Sequence, residues 1–411
     1  MMKQFAIAAA LMATGTAATA QQSGEESPLR AAADANVLEI VRHSDGSLSG
    51  AGWDRLIDDG SEAQFFLIGE QHATADIGEI SGMIYRALDG HGYDYMAMEV
   101  GPYGMAAAEA MLAEREGALR DYIATPGNTL VIPFLFYSED LAIVEETARL
   151  SDAPSDIFWG IDQEFIAGGP LLAARLEELA RTEVQRQAVA DFAELTANNP
   201  MAVGAAQPEE FAALRTAFDT GEDEAALEIV DAILLSNGIY APFTGRGGPI
   251  YPANLRRENY MKDNFLRTFE RTEARDGAPP RVFFKFGASH MMRGLSNTNV
   301  PALGNFLAEW GRTRDFEVVN IMIDCLGGEM RDPRSGDTRP CQSYLLEEGS
   351  LIREVAGDAP LTLIDLRPLR ALVRRDTDID AGSRALIFGF DYYLGIADVR
   401  PATVVGGDTA E

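Results

Sequence analysis

Seven short apolar runs, rich in aromatic and β-branched residues, punctuate the chain. They are Phe65-Phe66-Leu67-Ile68, Tyr95-Met96-Ala97-Met98, Ile157-Phe158-Trp159, Val282-Phe283-Phe284, Val318-Val319-Asn320-Ile321-Met322-Ile323, Leu361-Thr362-Leu363-Ile364 and Leu386-Ile387-Phe388. Most are continuous rather than alternating, and a strand apolar on both faces must be covered on both. This argues against an open antiparallel sheet with one wet face. Helical periodicity follows the first run over 77–88 and the second over 105–115, and a further helix over 369–375 is opened by Pro368 in a first-turn position. Strand and helix in alternation predict an α/β fold with a mostly parallel sheet flanked by helices.

Residues 171–271 break that alternation. Successive amphipathic patterns run through 171–180, 184–195, 210–218 and 225–235 with no strand between them. They predict an all-helical insertion at 171–271 within a sheet domain formed by 21–170 and 272–404. A breaker-rich stretch at 238–252 reads as a lid-like loop, followed by a helix over about 254–270. Residues 21–35 and 404–411 read as loose termini.

Met1, Met2 and Lys3, the apolar stretch that follows and Ala18-Thr19-Ala20 form the pattern of a secretory signal peptide over 1–20. It is too short for a membrane span, and no later segment is apolar for the roughly 20 residues a span requires. The expected protein is periplasmic or secreted, without a transmembrane segment. In an oxidising compartment the two cysteines, Cys325 and Cys341, are expected to pair as a structural disulfide. The chain carries 64 acidic against 34 basic side chains, a net charge of -30, which leaves no clustered cation for a nucleic-acid partner. The expected partner is a small-molecule or peptide substrate.

Polar residues fall at the strand ends. The first run leads into Gly69-Glu70-Gln71-His72, the second into Glu99, the third into Asp162-Gln163-Glu164 and the fourth into Gly287-Ala288-Ser289-His290. Ligands of α/β sheets bind outside the carboxyl ends of the strands, so these residues meet at one rim. Glu70, His72, Glu99 and His290 are the candidate site. His43, in a polar stretch, and His91, in a turn before the second strand, are set aside.

A neutral imidazole held by a carboxylate can take a proton from water attacking a carbonyl, and a second carboxylate can orient that water. The same four side chains could instead hold a divalent metal whose bound water is acidified. Arg257 and Arg256 are candidates to stabilise a developing oxyanion or hold substrate, together with Tyr251 and Glu164. No Gly-x-Ser-x-Gly surrounds Ser289 and no phosphate loop follows a strand. Asp376-x-Asp378-x-Asp380 lacks the glycine and the final Glu of a calcium loop.

Four segments carry a resemblance: Phe66-Leu67-Ile68-Gly69-Glu70-Gln71-His72; Tyr95-Met96-Ala97-Met98-Glu99; Arg257-Glu258-Asn259-Tyr260-Met261-Lys262-Asp263-Asn264-Phe265; and Lys285-Phe286-Gly287-Ala288-Ser289-His290. Their order resembles the erythromycin esterase and ChaN-like superfamily, which includes the Tiki and TraB proteins. The esterase branch implies His72 as general base on a lactone, Glu70 and Glu99 as orienting carboxylates and His290 as second imidazole. That branch usually places two residues between the first Glu and His. Here only Gln71 intervenes, as in ChaN-like proteins, which are associated with haem binding, while Tiki-like relatives are metal-dependent peptidases.

The leading expectation is an exported hydrolase of an ester, lactone or amide, with a divalent metal as an open possibility. The alternative is an envelope haem- or ligand-binding protein without turnover, for which Tyr103, Tyr240, Tyr251, Met291 and Met292 would serve.

Overall fold

The run Phe65–Glu70 forms a fully buried strand inside an eight-stranded sheet. The computed structural model describes residues 27–332 and 336–407; the leader expected over 1–20 lies outside the described residues. The strands are β1 (Val37–Glu39), β2 (Val41–Arg42), β3 (Leu48–Ser49), β4 (Phe65–Glu70), β5 (Tyr95–Met98), β6 (Phe158–Gly160), β7 (Val282–Gly287), β8 (Val318–Cys325), β9 (Glu329–Arg331), β10 (Thr338–Pro340), β11 (Leu361–Asp365) and β12 (Tyr392–Ile396). The main sheet has the order β1-β11-β12-β8-β4-β7-β5-β6. From β12 to β6 every neighbouring pair is parallel, and β11 and β1 extend the edge antiparallel.

Alternation along β4 shows why continuous apolar runs are needed. Phe66 and Ile68 enter the core on one face, Phe65 and Leu67 the core on the other. Each face is covered by helices, so neither can be polar.

One of the seven runs is not a strand. Leu386-Ile387-Phe388 lies in the helix Ala381–Gly389, whose first turn is capped by the Asp380 carboxylate accepting from Ser383 N. Ser383, Leu386 and Ile387 are buried at helical spacing and Phe388 is 44% exposed. Three apolar residues fit either period, and the cap decides it. The last strand is β12 instead. The turn after β11 is a short 3-10 helix, Arg367–Ala371, rather than a helix over 369–375.

Between β6 and β7 the chain is all helix. Gly169–Leu179, Glu183–Asn198, Ala212–Phe218 and Glu224–Tyr240 enclose a core of their own that includes Leu172, Phe192, Phe211, Phe218 and Ile233. The helix Ile250–Asp276 does not join it. Met261, Phe265 and Phe269 pack into the sheet core, so this helix is part of the sheet's covering layer. The expected loop at 238–252 shrinks to 244–249, because the chain stays helical through Phe243 and again from Ile250. Gly238 sits within a helix where a Cβ would lie 3.0 Å from the Arg256 guanidinium, so its glycine permits a close helix approach rather than a loop. The stretch Glu224–Phe243 is long and apolar enough to cross a membrane by composition, contrary to the expectation that no later segment reaches that length. Ala226, Ile229, Val230 and Ile233 on it are buried in the helical core.

The described parts of the termini are packed rather than loose. The helix Pro28–Ala35 buries Leu29 and Ala33, and Val405 is buried with its N–H bonded to Phe136 O. Cys325, ending β8, is bonded to Cys341, just after β10, with Cα atoms 6.3 Å apart.

Candidate active site

Strands β4, β7, β5 and β6 lie side by side, so their carboxyl ends deliver residues to one rim. Gly287, ending β7, stands between Glu70 of β4 and Glu99 beyond β5, and its N–H donates to Glu99 Oε2 at 2.8 Å. A Cβ at Gly287 would lie 2.5 Å from His72 Nε2 and 3.2 Å from Glu99 Oε2. Glycine is thus required for the imidazole to reach the carboxylate. After β4 the chain turns sharply at Ala73, with φ 68°. His72 Nδ1 then pairs with Glu70 Oε1 at 2.9 Å. The ring of Phe134, another residue with positive φ (65°), stacks on the imidazole at 4.5 Å. Such backbone conformations are costly for residues with a Cβ and here they shape the site.

His290 mirrors His72. Its Nδ1 is 2.6 Å from Glu258 Oε1, while Glu258 Oε2 accepts from Leu303 N at 2.8 Å. The two Nε2 atoms face opposite oxygens of one carboxylate: His72 lies 3.5 Å from Glu99 Oε2 and His290 3.3 Å from Glu99 Oε1. The result is a row Glu70, His72, Glu99, His290, Glu258, in which every imidazole is flanked by two carboxylates. Arg257, one residue before Glu258 on the same helix, donates to Glu99 Oε1 at 2.7 Å and to Asp162 Oδ1 at 3.0 Å. Behind Glu70, Lys285 Nζ lies 2.7 Å from Glu70 Oε1 and 2.5 Å from Asp140 Oδ1.

These neighbours decide the protonation states. Burial disfavours the imidazolium of His72, but Glu70 and Glu99 outweigh it and raise the group to about 9. Burial likewise opposes His290, and Glu99 and Glu258 raise it to about 10 against the nearby Arg257 charge. The His72 side chain keeps 32% exposure against 8% for His290, so water loosens its pairing and His290 is the more firmly held. Glu99 is held well below the usual carboxylate range despite burial, chiefly by His290, with His72 and Arg257 adding to it. Burial pushes Asp140 up to about 6, and Glu70 adds to the rise, while Lys285 opposes it.

A cavity of about 440 Å³ opens above the row. Glu70, His72, Glu99, Gly287 and His290 form its polar side, and Phe134, Phe136, Phe165 and Met330 its apolar walls. Among the expected residues, Glu70, His72, Glu99 and His290 come together here. Arg257 is present, but its guanidinium is committed to Glu99 and Asp162 rather than facing an oxyanion. Arg256 lies exposed against Gly238, and Tyr251 is 52% exposed; neither lines the cavity. Glu164 is buried and accepts from Tyr103 N at 2.8 Å, capping the helix Pro102–Glu114, with its carboxyl pushed up to about 7 by burial. His43 and His91 are exposed, and neither lines the cavity.

Among the described residues no group of three or more His, Cys, Asp or Glu side chains is arranged to hold a metal ion. Four cations, His72, His290, Arg257 and Lys285, already face the carboxylates a dication would need. The donor set therefore does not fit such an ion.

Sequence reasoning gave no role to Glu258, Lys285 or Asp140, although the first two stand within the resembling segments. No local signal marks Glu258, whose role rests on its pairing with His290, 32 residues away in the chain. Lys285 was detectable as a charge inside an apolar strand, which demands a buried counter-charge.

No family model matches the chain and no curated protein matches it. Solved structures do. A Bacillus cereus protein is 14% identical with a TM-score of 0.58 over 92% of this chain and 98% of its own. A succinoglycan biosynthesis protein is 13% identical with a TM-score of 0.56 over 91% and 97%. A histidine-to-asparagine mutant of the erythromycin esterase EreC in its open conformation is 14% identical with a TM-score of 0.55 over 85% and 94%. At this identity the likeness is one of architecture: the mostly parallel eight-stranded sheet, flanked by helices, places the chain in the same fold as an erythromycin esterase.

Proposed function

We propose that the protein is an exported hydrolase that opens an ester, lactone or amide with water activated by His72. The observation that carries this reading is the Glu70 and His72 pair at 2.9 Å, whose second ring nitrogen faces Glu99 at the floor of the cavity. Glu70 fixes the ring, His72 Nε2 takes a proton from water, and Glu99 orients that water. His290, the more basic imidazole, stays protonated and offers a positive charge beside the reacting centre. Ligation of a haem iron or a divalent ion by both imidazoles would need both deprotonated, whereas water activation needs only His72 neutral and leaves the more basic His290 charged, so water activation is the reading the charge pattern favours. The disulfide and the leader-like first twenty residues support export.

The apolar walls fit an uncharged small molecule or a peptide segment. The test is turnover by purified protein on a panel of esters, lactones and peptides. Hydrolysis by the wild type that falls by about 10² or more in His72→Asn is expected for loss of a general base. Hydrolysis unaffected by that substitution would overturn the reading.

A further inference from the structure

Part of the cavity wall comes from a segment outside the resembling motifs. Beyond β10, the disulfide of Cys341 to Cys325 ties the chain to the end of β8. Asp324 of that strand then accepts from Tyr344 N at 3.1 Å and from the Ser343 hydroxyl. The segment 341–344 is thereby held by the disulfide and two hydrogen bonds, and Tyr344 lines the same cavity as His72, Glu99 and His290.

There its hydroxyl closes a ring of three polar groups. Ser289 Oγ donates to Asn297 Oδ1 at 2.8 Å, Asn297 Nδ2 donates to Tyr344 Oη at 2.5 Å, and the Tyr344 and Ser289 hydroxyls are hydrogen-bonded to each other. Serine has one proton and spends it on Asn297, so the Tyr344 proton is the one directed to Ser289. An incoming carbonyl oxygen can take that proton at the cost of a single neutral hydrogen bond, about 1 kcal/mol. Asn297 would continue to hold the phenol oxygen in place.

We infer that Tyr344 is a catalytic residue that donates to the substrate carbonyl oxygen and stabilises the oxyanion formed when water adds. The inference rests on the hydrolytic reading above. In the step, His72 Nε2 takes a proton from water, the water oxygen bonds to the carbonyl carbon, and the C=O electron pair moves to the oxygen facing Tyr344. Collapse returns that pair and breaks the bond to the leaving oxygen or nitrogen, which takes the proton from His72. Burial, joined by the charge of Glu99, raises the phenol above its ordinary range, so it remains a donor. Preorganised donors of this kind act where Arg257 cannot, since that guanidinium is already engaged.

The test compares wild type and Tyr344→Phe on whichever ester or lactone the wild type turns over. Phenylalanine keeps the ring in the wall and removes only the hydroxyl. The expected result is a fall in kcat of about 10² to 10³ with KM changed less than about threefold and an unaltered thermal melt. A kcat within about threefold of wild type overturns the inference and leaves the hydrolytic reading standing. A loss confined to KM assigns Tyr344 to substrate binding and also overturns it. Absence of turnover by the wild type on every substrate overturns both. Should Tyr344→Phe melt early, Asn297→Ala, which unfastens the phenol without emptying the wall, must lower kcat; no loss there overturns the inference.

Discussion

Lys285 Nζ and the His72 imidazole share one acceptor: Glu70 Oε1 lies 2.7 Å from the ammonium and 2.9 Å from His72 Nδ1. Asp140 lies on the other side of the ammonium. The His72 imidazole is therefore oriented by a carboxylate that is itself pinned from behind by a fully buried ion pair. Replacing Lys285 with Met leaves two carboxylates facing each other out of water. Breaking a buried pair in this way costs about 3–5 kcal/mol. Urea denaturation of Lys285→Met is expected to show that loss, and Lys285→Met combined with Asp140→Leu to recover part of it. Equal stability of the single variant and wild type would mean that the pair is not formed.

Gly287 lies where β7 passes between Glu70 and Glu99, and a methyl group there would stand 2.5 Å from His72 Nε2. Gly287→Ala is expected to displace the imidazole rather than the strand, because the ring is the softer neighbour. A misplacement near 1 Å costs about 10² in rate. The expected outcome is a fall of that order in kcat/KM with a folded protein by circular dichroism. Full activity would show that His72 does not work from the position seen here.

The sheet, and the meeting of Glu70, His72, Glu99 and His290 at one rim, were legible because each depends on local pattern. Continuous apolar runs such as Phe65-Phe66-Leu67-Ile68 can be satisfied only between two covering layers, and a strand end fixes where Glu70 and Glu99 emerge. Leu386-Ile387-Phe388 misled because three residues do not distinguish periods, and the deciding contact is the Asp380 cap. Glu258 and Tyr344 were out of reach for another reason. Their roles depend on pairings across 32 and 55 residues, His290 with Glu258 and Ser289 with Tyr344, which no local periodicity encodes.

His290 ties stability to pH. Its folded-state value is raised to about 10, against about 6.5 for an unfolded chain. Between those values the folded protein binds the extra proton, so stability falls as pH rises. The contribution is complete below about 6.5, declines across the interval and is gone above about 10. Denaturant midpoints at successive pH values are expected to fall more steeply for wild type than for His290→Gln. Parallel curves would show that His290 is not held as a cation.

The metal question has a direct measurement. Cations already oppose the carboxylates of the row, so exhaustive dialysis against a chelator is expected to leave turnover within about twofold and the melt unchanged. Activity lost with a stoichiometric metal and restored by that metal would replace the paired imidazole with metal-bound water as the nucleophile's source.

His72 must be neutral to accept a proton, and Glu70 with Glu99 holds it as a cation up to about 9. At neutral pH only a small fraction of the molecules carries the base form. The rate constant kcat/KM is therefore expected to rise about tenfold per pH unit in the acid and neutral range and to level near 9. Glu70→Gln removes the negative charge that raises the imidazole, so the levelling point must move to lower pH while the plateau drops as the ring loses its orientation. An unshifted profile in Glu70→Gln would mean that the titration seen in the rate belongs to another group and that His72 is not the base.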